Sequence, residues 1–123
     1  MTPVEFAFFI NITFSLVAPG QIPKVEPYCC EMPRHVRGGR AVVITSSLGE
    51  SRWLVAYDPK LMGNGVYPKS WWVATAFHEA CHVGLREFGE TKPEILRAES
   101  KVEECTKKWL LWLDRKRKER RSK

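Results

Sequence analysis

The stretch "ATAFHEACHVGLREFG", residues 74–89, sets two histidines four positions apart, with a glutamate directly after the first. On an α-helix, residues i and i+4 lie on the same face one turn apart, so His78 and His82 can reach one metal ion. Glu79 lies about 100° around the helix from His78, next to such an ion. Two unremarkable histidines on an amphipathic helix are the alternative. The apolar residues around them favour a packed interior or cleft, and the pattern therefore predicts a metal site.

The composition is that of one folded domain with a charged end. The chain has 123 residues, of which 44% are hydrophobic and 28% charged, and this excludes a disordered protein. Residues 114–123 carry seven Lys/Arg and two acids, which leaves a net charge of only +1 on the other 113 residues. We expect one domain over residues 1–113 and a basic, disordered tail over 114–123. Such a tail could make weak nucleic-acid contacts by releasing counterions from phosphate.

The four cysteines do not form a C-x-x-C pair. Adjacent Cys29 and Cys30 are not expected to bond each other, because neighbouring side chains of a strand point to opposite faces. Cys81 and Cys105 are expected to be small core residues. The apolar stretch over residues 4–18 lacks a basic flank and is shorter than the ~20 residues of a membrane span. We therefore expect reduced thiols in a soluble, cytoplasmic protein without a membrane segment.

The first element is ambiguous between helix and strand. Thr2 and Glu5 form a capping box with Pro3 at the first helical position, which favours a helix over residues 3–17. Strict alternation of apolar residues between positions 6 and 16 favours a strand instead. The helix is the preferred prediction.

Three segments are predicted to be strands. Residues 25–30 suit an edge strand, because Pro27 cannot donate a ladder hydrogen bond. Residues 40–47 and 51–58 are apolar, rich in β-branched side chains and separated by a short turn, which predicts a hairpin. Residues 59–70 read as a loop. The sequence therefore predicts a small, mostly antiparallel sheet.

Two helices follow the predicted sheet. The first should begin at Ser70 as its cap and stop at Gly89. A capping box of Thr91 and Glu94 opens the second, which should run to about Asp114. Together these elements predict an α+β fold with an N-terminal helix, a small sheet, a helix that bears the histidines and a C-terminal helix.

The five residues from His78 to His82 agree in spacing and order with the metalloprotease motif H-E-x-x-H. Zinc lowers the pKa of a water molecule towards ~7, so a carboxylate such as Glu79 is a sufficient base at neutral pH. The motif predicts one Zn²⁺ per chain, held by His78 and His82, with Glu79 as the catalytic base.

The third ligand must come from elsewhere, since no histidine follows His82. Glu94 is accounted for by its capping box. If the C-terminal helix folds back along the helix that bears the histidines, its residues 98 and 99 lie level with His82 along the helix axis. Glu99 also lies nearest to the apolar face of that helix, at about 60°, against about 100° for Glu103 and 160° for Glu104. Glu99 is the predicted ligand, and Glu103 and Glu104 remain open.

This motif, on a helix between a small sheet and a second helix, resembles the zincin metallopeptidases. The compact layout is similar to minigluzincins, to ImmA/IrrE-type proteins and to small phage or archaeal peptidases, while the first half resembles SprT-like proteases. The SprT-like third ligand, a downstream histidine, is missing. In ImmA/IrrE-type proteins the ligand glutamate precedes a small residue, which Glu104 before Cys105 imitates.

The resemblance implies hydrolysis of peptide bonds in a peptide or protein substrate by a zinc-activated water. By analogy, an extended substrate could pair with the strand at residues 52–58, and Tyr57 or Tyr67 could assist at the oxyanion. A non-proteolytic zincin-fold binding or regulatory protein, of a viral or phage accessory type, is the alternative. A pure structural zinc site would need no base, so Glu79 favours the enzyme.

Overall fold

The computed structural model describes residues 1–34 and 39–121, which form an α+β fold as expected. The helices of this part are α1 (Pro3–Val17), α2 (Pro59–Gly63), α3 (Lys69–Leu85) and α4 (Lys92–Arg121), and its strands are β1 (Ile22–Pro27), β2 (Val43–Gly49) and β3 (Arg52–Tyr57). None of these helices combines the length and the apolar character that crossing a bilayer requires.

Helix α1 confirms the helical prediction for the first element. The Glu5 N–H donates to the Thr2 hydroxyl at 3.1 Å, and the Thr2 N–H donates to the Glu5 carboxylate at 3.2 Å. The alternation that suggested a strand is also compatible with a helix. Residues two apart lie about 200° apart around a helix, so alternate apolar residues fall on two opposite faces. One face is buried (Phe6, Ile10, Phe14) and the opposite face is exposed (Val4, Phe8, Ile12, Leu16).

The sheet is mixed, with β3 as its central strand. β2 pairs with β3 antiparallel, which confirms the hairpin, and β1 pairs with β3 in parallel. The prediction of a mostly antiparallel sheet is therefore wrong for β1, although its edge position is confirmed. No tight turn joins β1 to β3, since the chain first forms β2, and this leaves a parallel alignment possible. The outer strands of the order β1-β3-β2 are β1 and β2.

The core lies where α1 and α3 meet the sheet. The ring of Phe6 packs edge-on against Tyr57 and Trp72, with centroids 5.8 and 5.3 Å away. Helices α1 and α3 approach closely at Gly84, where a Cβ atom would lie 2.6 Å from the Val17 carbonyl oxygen. Burial of each large core side chain contributes about 1.5–3 kcal/mol. Helix α3 is thereby fixed between α1 and the sheet.

Helix α3 begins and ends earlier than predicted. Pro68 takes the N-cap position in place of Ser70, and the helix ends at Leu85 with Arg86 in the left-handed conformation at φ 54°. The predicted stop, Gly89, has another role. A Cβ atom there would lie 2.5 Å from the Ile95 backbone nitrogen, so glycine permits the close approach of this turn to the start of α4.

Helix α4 begins as predicted but continues further. The Thr91 and Glu94 capping box is present in both directions, with hydrogen bonds of 3.3 and 3.4 Å. The helix runs to Arg121 and does not end near Asp114, so residues 114–121 are helical where a disordered tail was expected. Lys, Arg and Glu are good helix formers, and this segment contains neither glycine nor proline to end the helix.

Candidate metal centre

The two histidines of the motif lie side by side on α3. Their ring centroids are 4.9 Å apart, one turn of helix from each other, as the i, i+4 spacing predicts. Residues Trp72, Val73, Ala76, Phe77 and Ala80 bury the same helix in the core. The backbone that carries both imidazoles is therefore fixed by packing before any ion is bound.

Helix α4 brings Glu99 to the same point. One carboxylate oxygen lies 3.2 Å from His78 Nε2, and the other lies 2.9 Å from His82 Nε2. One ligand atom from each of the three side chains can be chosen so that all lie within 4.8 Å of one another. Two imidazoles and one carboxylate suit a divalent metal ion, so the group His78, His82 and Glu99 can hold one.

The other candidate glutamates lie elsewhere on α4. Glu103 and Glu104 are both exposed, and neither belongs to the metal-binding group. Glu104 borders a surface depression with Gly84 and Leu85. The carboxylate of Glu94 accepts the backbone N–H groups at the start of α4. Of the four candidates, only Glu99 is brought to the histidines.

Protonation equilibria at the site reflect this contact. Hydrogen bonds from His78 and His82 hold the pKa of Glu99 well below its ordinary value, against the opposing effect of burial. Burial by itself would lower the pKa of His82, but the hydrogen bond to Glu99 and the charge of Glu79 raise it overall. Hydrogen bonds of the Glu99 carboxylate to the two imidazoles thus hold together the groups that a cation could link.

A backbone carbonyl sets the tautomer of His82. Its Nδ1 lies 2.8 Å from the carbonyl oxygen of Glu87, which can only accept, so Nδ1 carries a proton. Nε2 carries the second proton when the ring donates to the Glu99 carboxylate, and it is the nitrogen left unprotonated in the neutral ring. The His82 ring also stacks on Phe88, which in turn stacks on Trp53 of β3. Partners of this kind orient a metal-binding imidazole and raise its basicity. The sequence alone did not indicate the Glu87 contact.

Glu79 is hydrogen-bonded to β2 and is not one of the three residues that could hold a metal ion. Its side chain is buried, and one carboxylate oxygen accepts a hydrogen bond of 2.6 Å from the Thr45 hydroxyl. Burial raises the pKa of Glu79, while His82, His78 and the Thr45 hydroxyl act in the opposite direction. Thr45 was not singled out in the sequence, because no local pattern links residue 45 to residue 79.

Two open depressions meet at the site and follow β2. One is lined by His82, Phe88 and Ile95, the other by Tyr67 and Trp71, and both share His78 and Glu79. Together the two depressions form a groove along β2. Of the two tyrosines considered for oxyanion assistance, Tyr67 lines this groove, whereas Tyr57 is 5% exposed and belongs to the core. The groove therefore passes across the predicted base.

Two of the four cysteines differ from the prediction. Cys81 and Cys105 form a disulfide between α3 and α4, so the expectation of reduced thiols is wrong for this pair and no longer supports an intracellular location. Cys29 and Cys30 are free and lie just after β1. Their sulfur atoms are 2.7 Å apart. The two residues lie beyond the end of β1, where neighbouring side chains need not point to opposite faces.

Comparison with known proteins gives no relative to extend this description: no family model, curated protein or solved structure matches the chain.

Proposed function

We propose that this protein is a zinc-dependent metallopeptidase of the compact gluzincin type. The observation that carries the proposal is the position of the Glu99 carboxylate between the Nε2 atoms of His78 and His82, at 3.2 and 2.9 Å. A glutamate follows the first histidine directly, which a purely structural site does not need. Catalytic zinc sites use three protein ligands of this kind and leave one position open.

A zinc ion held by these side chains would supply Lewis-acid polarisation of a carbonyl and a lowered pKa for water. The chain supplies the proton transfers. Glu79 accepts a proton from the attacking water and passes it to the leaving amine. Its burial raises its pKa, which favours a carboxylate that can hold a proton between the two steps.

The outer edge of β2, which pairs with no strand among the described residues, suits an extended peptide. The earlier expectation placed substrate on β3, but β3 already has a partner on each side, so that expectation is wrong. Strand β2 borders both depressions through Val43 and has an edge that β3 does not occupy. A peptide chain can add to such an edge through backbone hydrogen bonds. We infer that substrate lies along β2 and passes over Glu79.

The test combines metal content with hydrolysis of an unfolded protein such as casein. Wild type should hold one zinc per chain and cleave the substrate, whereas Glu79→Gln should hold the same zinc without cleaving. His82→Ala should lose the metal. Absence of zinc from the wild type after reconstitution at neutral pH rejects the site. Zinc binding without hydrolysis would favour a zincin-fold binding protein.

A further inference from the structure

The disulfide joins the two helices that carry the metal-binding group. Cys81 precedes His82 on α3, and Cys105 follows Glu99 on α4 by six residues. The bond thus lies within two turns of the third ligand, at about 1.5 Å of rise per residue.

Two of the three ligands need no help from α4. His78 and His82 are one turn apart on a helix that the core fixes, so the helix itself sets their spacing. Glu99 comes from another helix and reaches them only if α4 keeps both its position and its rotation. The geometry of the complete site therefore depends on how firmly α4 is held against α3.

The other contacts that hold α4 near Glu99 differ in kind. The side chains that it buries are mostly small: Ala98, Glu99, Val102 and Thr106. Trp109 stacks on Phe77 at 6.1 Å, ten residues beyond Glu99. The ion pair of Lys101 with Glu87 is exposed, and such pairs contribute at most about 1 kcal/mol. Near Glu99, the fully buried face of α4 therefore consists mainly of small side chains.

The disulfide and the third ligand flank this interface on opposite sides. Around the axis of α4, Cys105 lies about 120° from Glu99, with Val102 about midway between them. Val102 is fully buried. A bond at one margin of the buried face opposes rolling of the helix about its axis, and such rolling would move the carboxylate at the other margin away from the histidines.

We propose that the disulfide between Cys81 and Cys105 is a positioning element for Glu99, so that the metal affinity of the site depends on the oxidation state of this pair. The inference rests on the proposed metal site. It adds a thiol-linked control that the three ligands and Glu79 do not themselves provide.

The bond can be reached from one side only. Cys81 is fully buried, whereas Cys105 is partly exposed and lines a surface depression with Lys101 and Lys108. A small thiolate attacks Cys105 Sγ, the bond to Cys81 breaks, and the Cys81 thiolate takes up a proton. A second thiol then releases Cys105 as a thiol. In total, two thiol molecules become one disulfide and supply the two electrons and two protons.

The experiment is a double-mutant cycle on zinc affinity in the full chain. All proteins carry Cys29→Ser and Cys30→Ser, which removes the two free thiols as competing zinc ligands. Zinc dissociation constants are measured by competition with a chromophoric chelator. The four proteins are the parent with its disulfide, the Cys81→Ser/Cys105→Ser variant, Glu99→Ala, and the combination of these changes.

Loss of the disulfide should weaken zinc binding by about 10- to 100-fold in the parent, the range seen for partners that orient ligands. In the Glu99→Ala background, loss of the disulfide should change zinc affinity by less than about 2-fold, because the carboxylate that the disulfide positions is absent. An equal loss in both backgrounds, or no loss in the parent, overturns the inference while leaving the metal site intact.

Folding and the proposed function are controlled separately. Helix content by circular dichroism identifies a serine variant that fails to fold, and Cys81→Ala/Cys105→Val then replaces it with an apolar pair. Reduction of the parent by a phosphine, which becomes the phosphine oxide with one oxygen from water, should give the same loss without any substitution. If the oxidised parent binds zinc no better than His82→Ala, the proposed function itself fails.

Discussion

The hydroxyl of Thr45, on the outer strand β2, donates a 2.6 Å hydrogen bond to the buried carboxylate of Glu79 on α3. This contact ties the strand that borders the groove to the residue proposed as the base. It also partly offsets the cost of burying a carboxylate, since a buried polar group without a partner is destabilising.

Thr45→Val should therefore destabilise the protein, because it keeps the shape of the side chain but removes the donor. We expect a loss of about 1–3 kcal/mol in the free energy of unfolding, measured by chemical denaturation. Thr45→Ser retains a hydroxyl and is the matched control. Zinc content should not change in either variant. A Thr45→Val protein as stable as Thr45→Ser would show that this hydrogen bond contributes little.

The choice among the glutamates of α4 can be tested by alanine substitution. Glu99→Ala should weaken zinc binding by more than about 100-fold, since a lost ligand costs more than a lost outer partner. Glu104→Ala is the control on the same helix, and it should bind zinc as the wild type does because Glu104 borders a different depression. The reverse ranking, measured by chelator competition, would assign the ligand to Glu104.

Stability of the metal-free protein should depend on pH through the same cluster. Glu99 has a lowered pKa, so its contribution to the free energy of unfolding is present above pH 4.5, the ordinary pKa of the group. This contribution is lost as the pH falls. His82 has a raised pKa, so its contribution is complete below 6.5 and is lost as the pH rises through the raised value. The raised pKa of Glu79 likewise removes stability as the pH rises above 4.5.

The metal-free protein should thus melt at a lower temperature at weakly alkaline than at weakly acidic pH. Zinc should act in the opposite sense, because it requires neutral imidazoles and binds better as the pH rises. Thermal melting on both sides of pH 6.5, with a chelator and with zinc, tests both statements. Glu99→Gln should flatten the metal-free profile, and an unchanged profile in that variant contradicts the assignment.

The two faces of α1 provide a matched pair of substitutions. Phe6 is fully buried, whereas Phe8, two residues later, is 62% exposed. Phe6→Ala should cost about 3–5 kcal/mol in the free energy of unfolding, the usual range for a core aromatic residue. Phe8→Ala should change it by no more than about 0.5 kcal/mol. Similar costs at both positions in chemical denaturation would place both side chains in buried contacts.

Local features of the fold could be predicted from the sequence because local chemistry causes them. The capping boxes at Thr2 and Thr91 form between residues three apart, and the hairpin follows from two strands joined by a short turn. The parallel pairing of β1 was missed because nothing in its own residues specifies a partner that lies after the hairpin turn. Similarly, the predicted end of α4 near Asp114 followed its last apolar residues. A helix of charged residues can continue without burying a face, and α4 runs to Arg121.

At the candidate site, helix geometry was sufficient to predict which side chains come together and insufficient to predict the residues that support them. The rise and rotation of two antiparallel helices single out Glu99, and the structure brings that residue to His78 and His82. The contact of Thr45 with Glu79 and the bond of Cys81 to Cys105 depend on how separate elements pack. Periodicity in one element carries no information about such pairs.

The disulfide also has a consequence for the denatured chain. It closes a ring between residues 24 apart in sequence, and that ring contains His82 and Glu99, while His78 lies three residues outside it. In denaturant His82 and Glu99 therefore stay on one closed loop with His78 close to its start, and the entropy lost on bringing the three side chains together is smaller than for an open chain. Even after the sheet and α1 have unfolded, the disulfide of the oxidised chain limits how far apart these side chains can move.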